Sequence, residues 1–94
     1  MPGGAVWEVN IRLYTSSFCG ACSQARSVVD QAVGLVTAAR VTEVNVAFRP
    51  DEAERASITA TPTIVLENAA GVEVFRAEGV PTIHQVLAGL ALAV

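Results

Sequence analysis

No lysine occurs anywhere in this chain, and six arginines stand against nine acidic residues, for a net charge of −3. Nor is there a basic run interleaved with aromatics, so no nucleic-acid partner is expected. Aromatic side chains are scarce: one Trp, one Tyr and three Phe. The core must therefore come from small and β-branched residues, chiefly Ala and Val, and a chain that is 52% apolar can supply one. No apolar run reaches the ~20 residues of a membrane span. The strongest, Ile83 to Val94, is shorter and carries His84 and Gln85, so no membrane contact is expected. Met1-Pro2-Gly3-Gly4-Ala5 lacks the basic and apolar regions of a secretory signal and reads as a flexible N-terminus (1–5), with 6–94 as one domain. These absences point to a cytoplasmic protein, and a monomer is expected. Histidine occurs once and cysteine twice, which leaves few residues to carry chemistry.

Both cysteines fall in Cys19-Gly20-Ala21-Cys22, where the alternating run Val9, Ile11, Leu13 gives way to a helical pattern. Cys19 then sits at a helix N-terminus, where free N–H groups and the macrodipole favour negative charge. A thiol placed there ionises more readily, and the thiolate is the nucleophile of disulfide exchange. Cys22, one turn on, is close enough to attack a mixed disulfide formed on Cys19. Three other readings remain beside this one. A staple closing so short a loop contributes only about 2 kcal/mol of chain entropy. A zinc site needs two further ligands, and the chain offers no third Cys and only His84, far along the sequence. The thiols could also be inert. In a reducing compartment this spacing is more often catalytic than structural.

Around the pair the chain reads as β-α-β-α-β-β-α. Val6 to Tyr14 alternates, with Trp7, Val9, Ile11 and Leu13 on one face and Glu8, Asn10, Arg12 and Tyr14 on the other. Thr15 to Phe18 is a loop whose small polar residues can cap the next helix. Apolar positions Cys22, Ala25, Val28, Val29, Ala32, Val33 and Val36 predict a helix over 21–36, with Arg26 a solvated residue between them. Arg40 to Val46 is a second strand. Asp51 and Glu54 form a capping-box pattern for a short helix through Ser57. Thr63 to Leu66 and Val72 to Ala77 form a hairpin about the turn Asn68–Gly71. After the breaker Gly79-Val80-Pro81, Thr82 and Gln85 repeat the capping-box pattern. Ile83, Val86, Leu87, Leu90, Ala91 and Val94 then follow at helical spacing. The crossover makes the first two strands parallel. A four-stranded mixed sheet with helices on both faces is the simplest packing.

Thr61-Pro62-Thr63 stands directly before a strand, a position proline tolerates because it owes no N–H to the ladder. A strand, Cys-x-x-Cys at a helix start, Ala60-Thr61-Pro62-Thr63, then a hairpin, Gly79 and a last helix resemble the thioredoxin-like α/β fold over about Val6 to Val94. The resemblance implies a thiol–disulfide oxidoreductase with Cys19 as exposed nucleophile and Cys22 as buried resolving thiol. It implies a cis bond before Pro62, with Thr61 offering its backbone to a bound peptide or to glutathione. Phe18, Gly20, Ala21 and Gly79 would line the same substrate groove. No cofactor is implied. The partners would be protein or small-molecule disulfides, with electrons from a reductase or a low-molecular-weight thiol.

The chain departs from that pattern in places. It lacks the leading β-α unit of full-length thioredoxins. Phe18 stands where they usually carry Trp, and Ala21 where they carry Pro. Leu13 takes the place of a buried Asp that assists the second cysteine. The Tyr within the motif and the glutathione-binding Gly-Gly-x-x-Asp of glutaredoxins are absent too. Glu78-Gly79-Val80-Pro81-Thr82 is closer to the thioredoxin ending. Two alternatives stand beside the main reading: a glutaredoxin-like, small-thiol-dependent reductase, and a redox-sensing or partner-binding module without turnover.

Overall fold

The computed structural model describes residues 8–93; the expectations for residues 1–5, Val6, Trp7 and Val94 lie outside them. Seven elements follow in the expected order: β1 (Val9–Thr15), α1 (Gly20–Leu35), β2 (Ala39–Asn45), α2 (Pro50–Arg55), β3 (Thr63–Glu67), β4 (Glu73–Glu78) and α3 (Ile83–Ala93). The strands lie side by side as β2-β1-β3-β4. β1 runs parallel to β2, Leu13 opposite Glu43, and antiparallel to β3, Leu13 opposite Ile64. β3 and β4 form the hairpin.

Alternation along β1 sends Val9, Ile11 and Leu13 to one face of the sheet, where they meet Ile64 and Leu66 of β3. Ala25, Val29 and Ala32 of α1 and Val86, Leu90 and Ala93 of α3 close over them. Each larger side chain sealed there contributes about 1.5–3 kcal/mol. Small residues let both helices approach closely. Gly89 shows the limit: a Cβ there would lie 2.7 Å from Leu66 Cδ1 and 2.8 Å from Phe75 Cγ. The inward face of α3 is therefore Val86, Gly89, Leu90 and Ala93, while Ala91, expected on the apolar face, is exposed. Ile83 and Leu87, also expected on that face, are partly buried against the core.

The opposite face departs further from expectation. Tyr14, assigned by alternation to a polar face, is buried with Val44 and Val65. β1 is a central strand, and Ala56 and Ile58, just after α2, cover its far side. Burial pushes the Tyr14 phenol above its ordinary pKa. Beside it, Arg12 donates to Glu52 of α2 at 3.0 Å and to Glu67 of β3 at 3.1 Å, tying the short helix to the sheet.

α2 itself lacks the expected capping box. Its N-cap is Arg49, with no side-chain cap, and Pro50 supplies a first-turn residue that needs no N–H partner. The helix stops at Arg55, because Ser57 takes a left-handed φ of 57°. Ser57 N–H then bonds Glu54 O and Ile58 N–H bonds Ala53 O, both at 3.0 Å, a Schellman ending that drops Ile58 onto the sheet. The capping box of α3 is formed: Thr82 N–H donates to Gln85 Oε1 at 2.8 Å and Gln85 N–H to Thr82 Oγ1 at 3.1 Å.

Candidate functional site

At the carboxyl end of β1 the chain turns through Ser16 to Phe18 and enters α1. No serine or threonine of that loop caps the helix. Cys19 is the N-cap, and its Sγ accepts the Cys22 N–H at 3.0 Å. The loop hydroxyls are committed elsewhere: Ser16 Oγ hydrogen-bonds Thr61 Oγ1 at 2.7 Å, and Ser17 Oγ accepts from Asn45 Nδ2 at 3.4 Å. The sulfur is thus the atom left at the free N–H groups of the helix. A thiolate on Cys19 would be stabilised by them.

Cys19 and Cys22 form a disulfide, with Cα atoms 5.2 Å apart. Cys19 is half-buried at the surface, whereas Cys22 is 1% exposed, packed where α1 lies on the sheet. This asymmetry follows from the helix: the N-cap lies outside the packed stripe, and the residue three positions later falls on it. Phe18, immediately before, holds a left-handed φ of 57° and projects wholly into solvent. A non-glycine residue in that region is strained, and such strain clusters at functional positions. Gly20 and Ala21 are exposed beside it.

The remaining candidates arrive from distant segments. The Ser16–Thr61 hydrogen bond brings the segment before β3 against the cysteine loop. The Thr61–Pro62 peptide bond is cis, and Pro62 is buried. Thr63 Oγ1 donates to Ala60 O at 2.7 Å and Gly79 N–H to Pro62 O at 2.9 Å. Gly79 holds φ 84° in open space, so its need for glycine is conformational. Hydrogen bonds thereby link Ser16 to Thr61 and Pro62 to Gly79. Leu13, six residues before Cys19, is apolar and 1% exposed.

Three features were not legible in the sequence. A cleft of about 230 Å³ adjoins Thr61, lined also by Val46, Ile58, Thr59 and Ala60. Phe48, after β2, is a second strongly exposed aromatic. Arg26, read as solvated, reaches β2: its Nε and Nη2 donate to Glu43 at 2.8 and 2.6 Å, and Thr15 Oγ1 donates to the same carboxylate at 3.0 Å. The Arg26 hydrogen bonds hold the Glu43 carboxyl below the usual carboxylate range, against burial that pushes it up. Only strand register brings Arg26 to Glu43, and no local signal marks it. Among the described residues, no three His, Cys, Asp or Glu side chains converge on a point that could hold a metal ion. No described helix is long and apolar enough to cross a membrane.

No family model matches the chain, and no curated protein matches it in sequence. Solved structures do resemble it. A mutant thioredoxin from Halobacterium salinarum superposes with a TM-score of 0.82 at 20% identity, covering 93% of this chain and 76% of that one. The Fasciola hepatica thioredoxin gives 0.80 at 21% identity, covering 93% and 82%. Oxidised mitochondrial thioredoxin 3 from Saccharomyces cerevisiae gives 0.79 at 20%, covering 89% and 77%. The likeness establishes the fold, which is thioredoxin-like.

Proposed function

We propose that this chain is a thiol–disulfide oxidoreductase of the thioredoxin kind. The observation that carries the reading is the bonded cysteine pair at the start of α1. Cys19 is partly exposed at the N-cap, Cys22 is sealed one turn below it, and Thr61–Pro62 is hydrogen-bonded alongside.

In the reducing direction, the Cys19 thiolate attacks one sulfur of a substrate disulfide and displaces the other as a thiolate. Cys22 loses its proton and attacks Cys19 Sγ. The Cys19–Cys22 bond forms as the mixed disulfide breaks, the electron pair leaves on the second substrate sulfur, and solvent protonates both product thiolates. Two electrons pass from the protein dithiol to the substrate, and the direction follows from the relative potentials. The helix end lowers the cost of the first thiolate. Phe18, Gly20, Ala21, Thr61, Pro62 and Gly79 form the surface on which the substrate chain lies, with Thr61 offering backbone groups in strand fashion. The reading includes a cytoplasmic, monomeric protein without a bound cofactor, re-reduced by a reductase or a low-molecular-weight thiol.

Insulin reduction by dithiothreitol, with and without the protein, tests the activity. Acceleration is expected; none would leave a redox sensor or binding module. Turnover with thioredoxin reductase against turnover with glutathione and its reductase identifies the donor. The roles of the cysteines are tested by trapping: Cys22→Ser, incubated with reducible protein disulfides, should accumulate mixed disulfides on non-reducing electrophoresis. Adducts on Cys19→Ser instead would reverse the assignment.

A further inference from the structure

We propose that Arg26 and Glu43 form a compensated charge pair that governs ionisation of the Cys22 thiol in the reduced protein, Arg26 favouring the thiolate and Glu43 opposing it. The proposal rests on the thiol–disulfide reading and extends it to the resolving step, in which a sealed thiol must give up its proton.

Burial disfavours the thiolate, and Cys22 is 1% exposed. A nearby charge therefore bears on the second step, less where solvent reaches it: the Arg26 and Glu43 side chains are 44% and 38% exposed. Arg26 follows Cys22 by four residues on α1, which puts their β-carbons about 5–6 Å apart on one helix face. It is not free to swing away: two hydrogen bonds, at 2.8 and 2.6 Å, fasten it to Glu43 of β2. Glu43 in turn accepts at 3.0 Å from Oγ1 of Thr15, a residue 2% exposed at the end of β1, directly before the cysteine loop. The pair thus bridges α1, β2 and β1 beside the start of the helix.

The other elements at this end bring one further charge, Glu78 of β4, which lies opposite Thr63 in the hairpin and accepts from Thr59 Oγ1 at 3.2 Å. Thr59 to Pro62 is uncharged, β3 presents the Thr63 hydroxyl at this end, and the buried residues of α3 are Val86, Gly89, Leu90 and Ala93. On α1 itself Asp30 lies a further turn from the site, and the Cys19 thiolate, three residues before Cys22, opposes a second thiolate until Cys19 is taken up in the mixed disulfide. Arg26 favours the Cys22 thiolate and Glu43 opposes it, so removing either leaves the other uncompensated.

The test isolates Cys22 in a Cys19→Ser background and follows its thiolate absorbance against pH. Arg26→Gln should raise the Cys22 pKa, and Glu43→Gln should lower it, each by about half a unit or more. The double variant should return close to the starting value. Arg26→Lys, which keeps the charge and gives up the two-point contact, should stay on the thiolate-favouring side of Arg26→Gln. A loosened structure would move both single variants the same way, so equal signs, or no movement, overturn the proposal and leave the pair a strut. The two readings fail separately. Opposite shifts in a protein that does not accelerate insulin reduction would sink the function and spare the charge pair. Flat titrations beside normal turnover would do the reverse.

Discussion

Helices α1 and α3 begin with the same physical problem and solve it with different atoms. Each leaves several N–H groups without an intrahelical partner. At α3, Thr82 and Gln85 satisfy two of them reciprocally with oxygen acceptors that do not titrate near neutral pH. At α1 the acceptor is Cys19 Sγ, and that sulfur also belongs to the disulfide. One end is built for stability. The other gives the capping position to the atom proposed to react, and its neighbour Phe18 carries backbone strain with its ring in solvent. A helix N-terminus can therefore serve as a structural cap or as a thiolate stabiliser, according to which atom occupies a single position.

Cys19→Ser should separate the two roles most sharply. Serine is a strong N-cap, so the variant should unfold within about 0.5 kcal/mol of the reduced parent, or later, while insulin reduction falls to background. Retained activity would remove Cys19 from the chemistry. Gly89→Ala probes the structural helix. Its methyl group would press on Leu66 and Phe75, and overpacking of that kind costs about 1–3 kcal/mol, read by denaturant unfolding. Activity per folded molecule should be unchanged, since α3 carries none of the proposed site.

Thr82→Ala should cost about 1 kcal/mol, or roughly 4–8 °C in melting temperature for a domain of this size. Equal cost at every pH is expected, because neither capping partner ionises. Acid titration gives the smallest effect and the cleanest contrast. Glu43 and Glu73 are held below the usual carboxylate range by Arg26 and Arg76. A carboxylate depressed in the folded state stabilises fully above its unfolded pKa, and that stability is lost as pH falls through the folded value. Melting temperature should accordingly fall on acidification, less steeply in Glu43→Gln and Glu73→Gln. Both groups are partly exposed, so salt should shrink the difference. A slope unchanged by either variant would show that these pairs contribute nothing.

Local pattern carried much of the molecule. The element order, the parallel crossover, the hairpin and the α3 capping box all follow from short-range signals such as alternation, helical spacing and Thr82-x-x-Gln85. The α2 capping box failed although its letters were right. A Pro at the first turn and an Arg49–Glu52 ion pair at 3.1 Å settle that helix end instead. Tyr14 failed for another reason: alternation says which side of a strand a residue takes, but not whether that side is covered.

By itself the sequence determined the seven elements and placed two cysteines at a helix start, because propensity, periodicity and capping act over a few residues. Tertiary structure alone decided the rest. It hydrogen-bonded Ser16 to Thr61, 45 residues apart. It set Val46 beside Ile58 in one cleft and brought Arg26 to Glu43 across the first two strands. Those contacts depend on strand order, register and the closeness of helix to sheet, which are fixed only when the whole core closes at once.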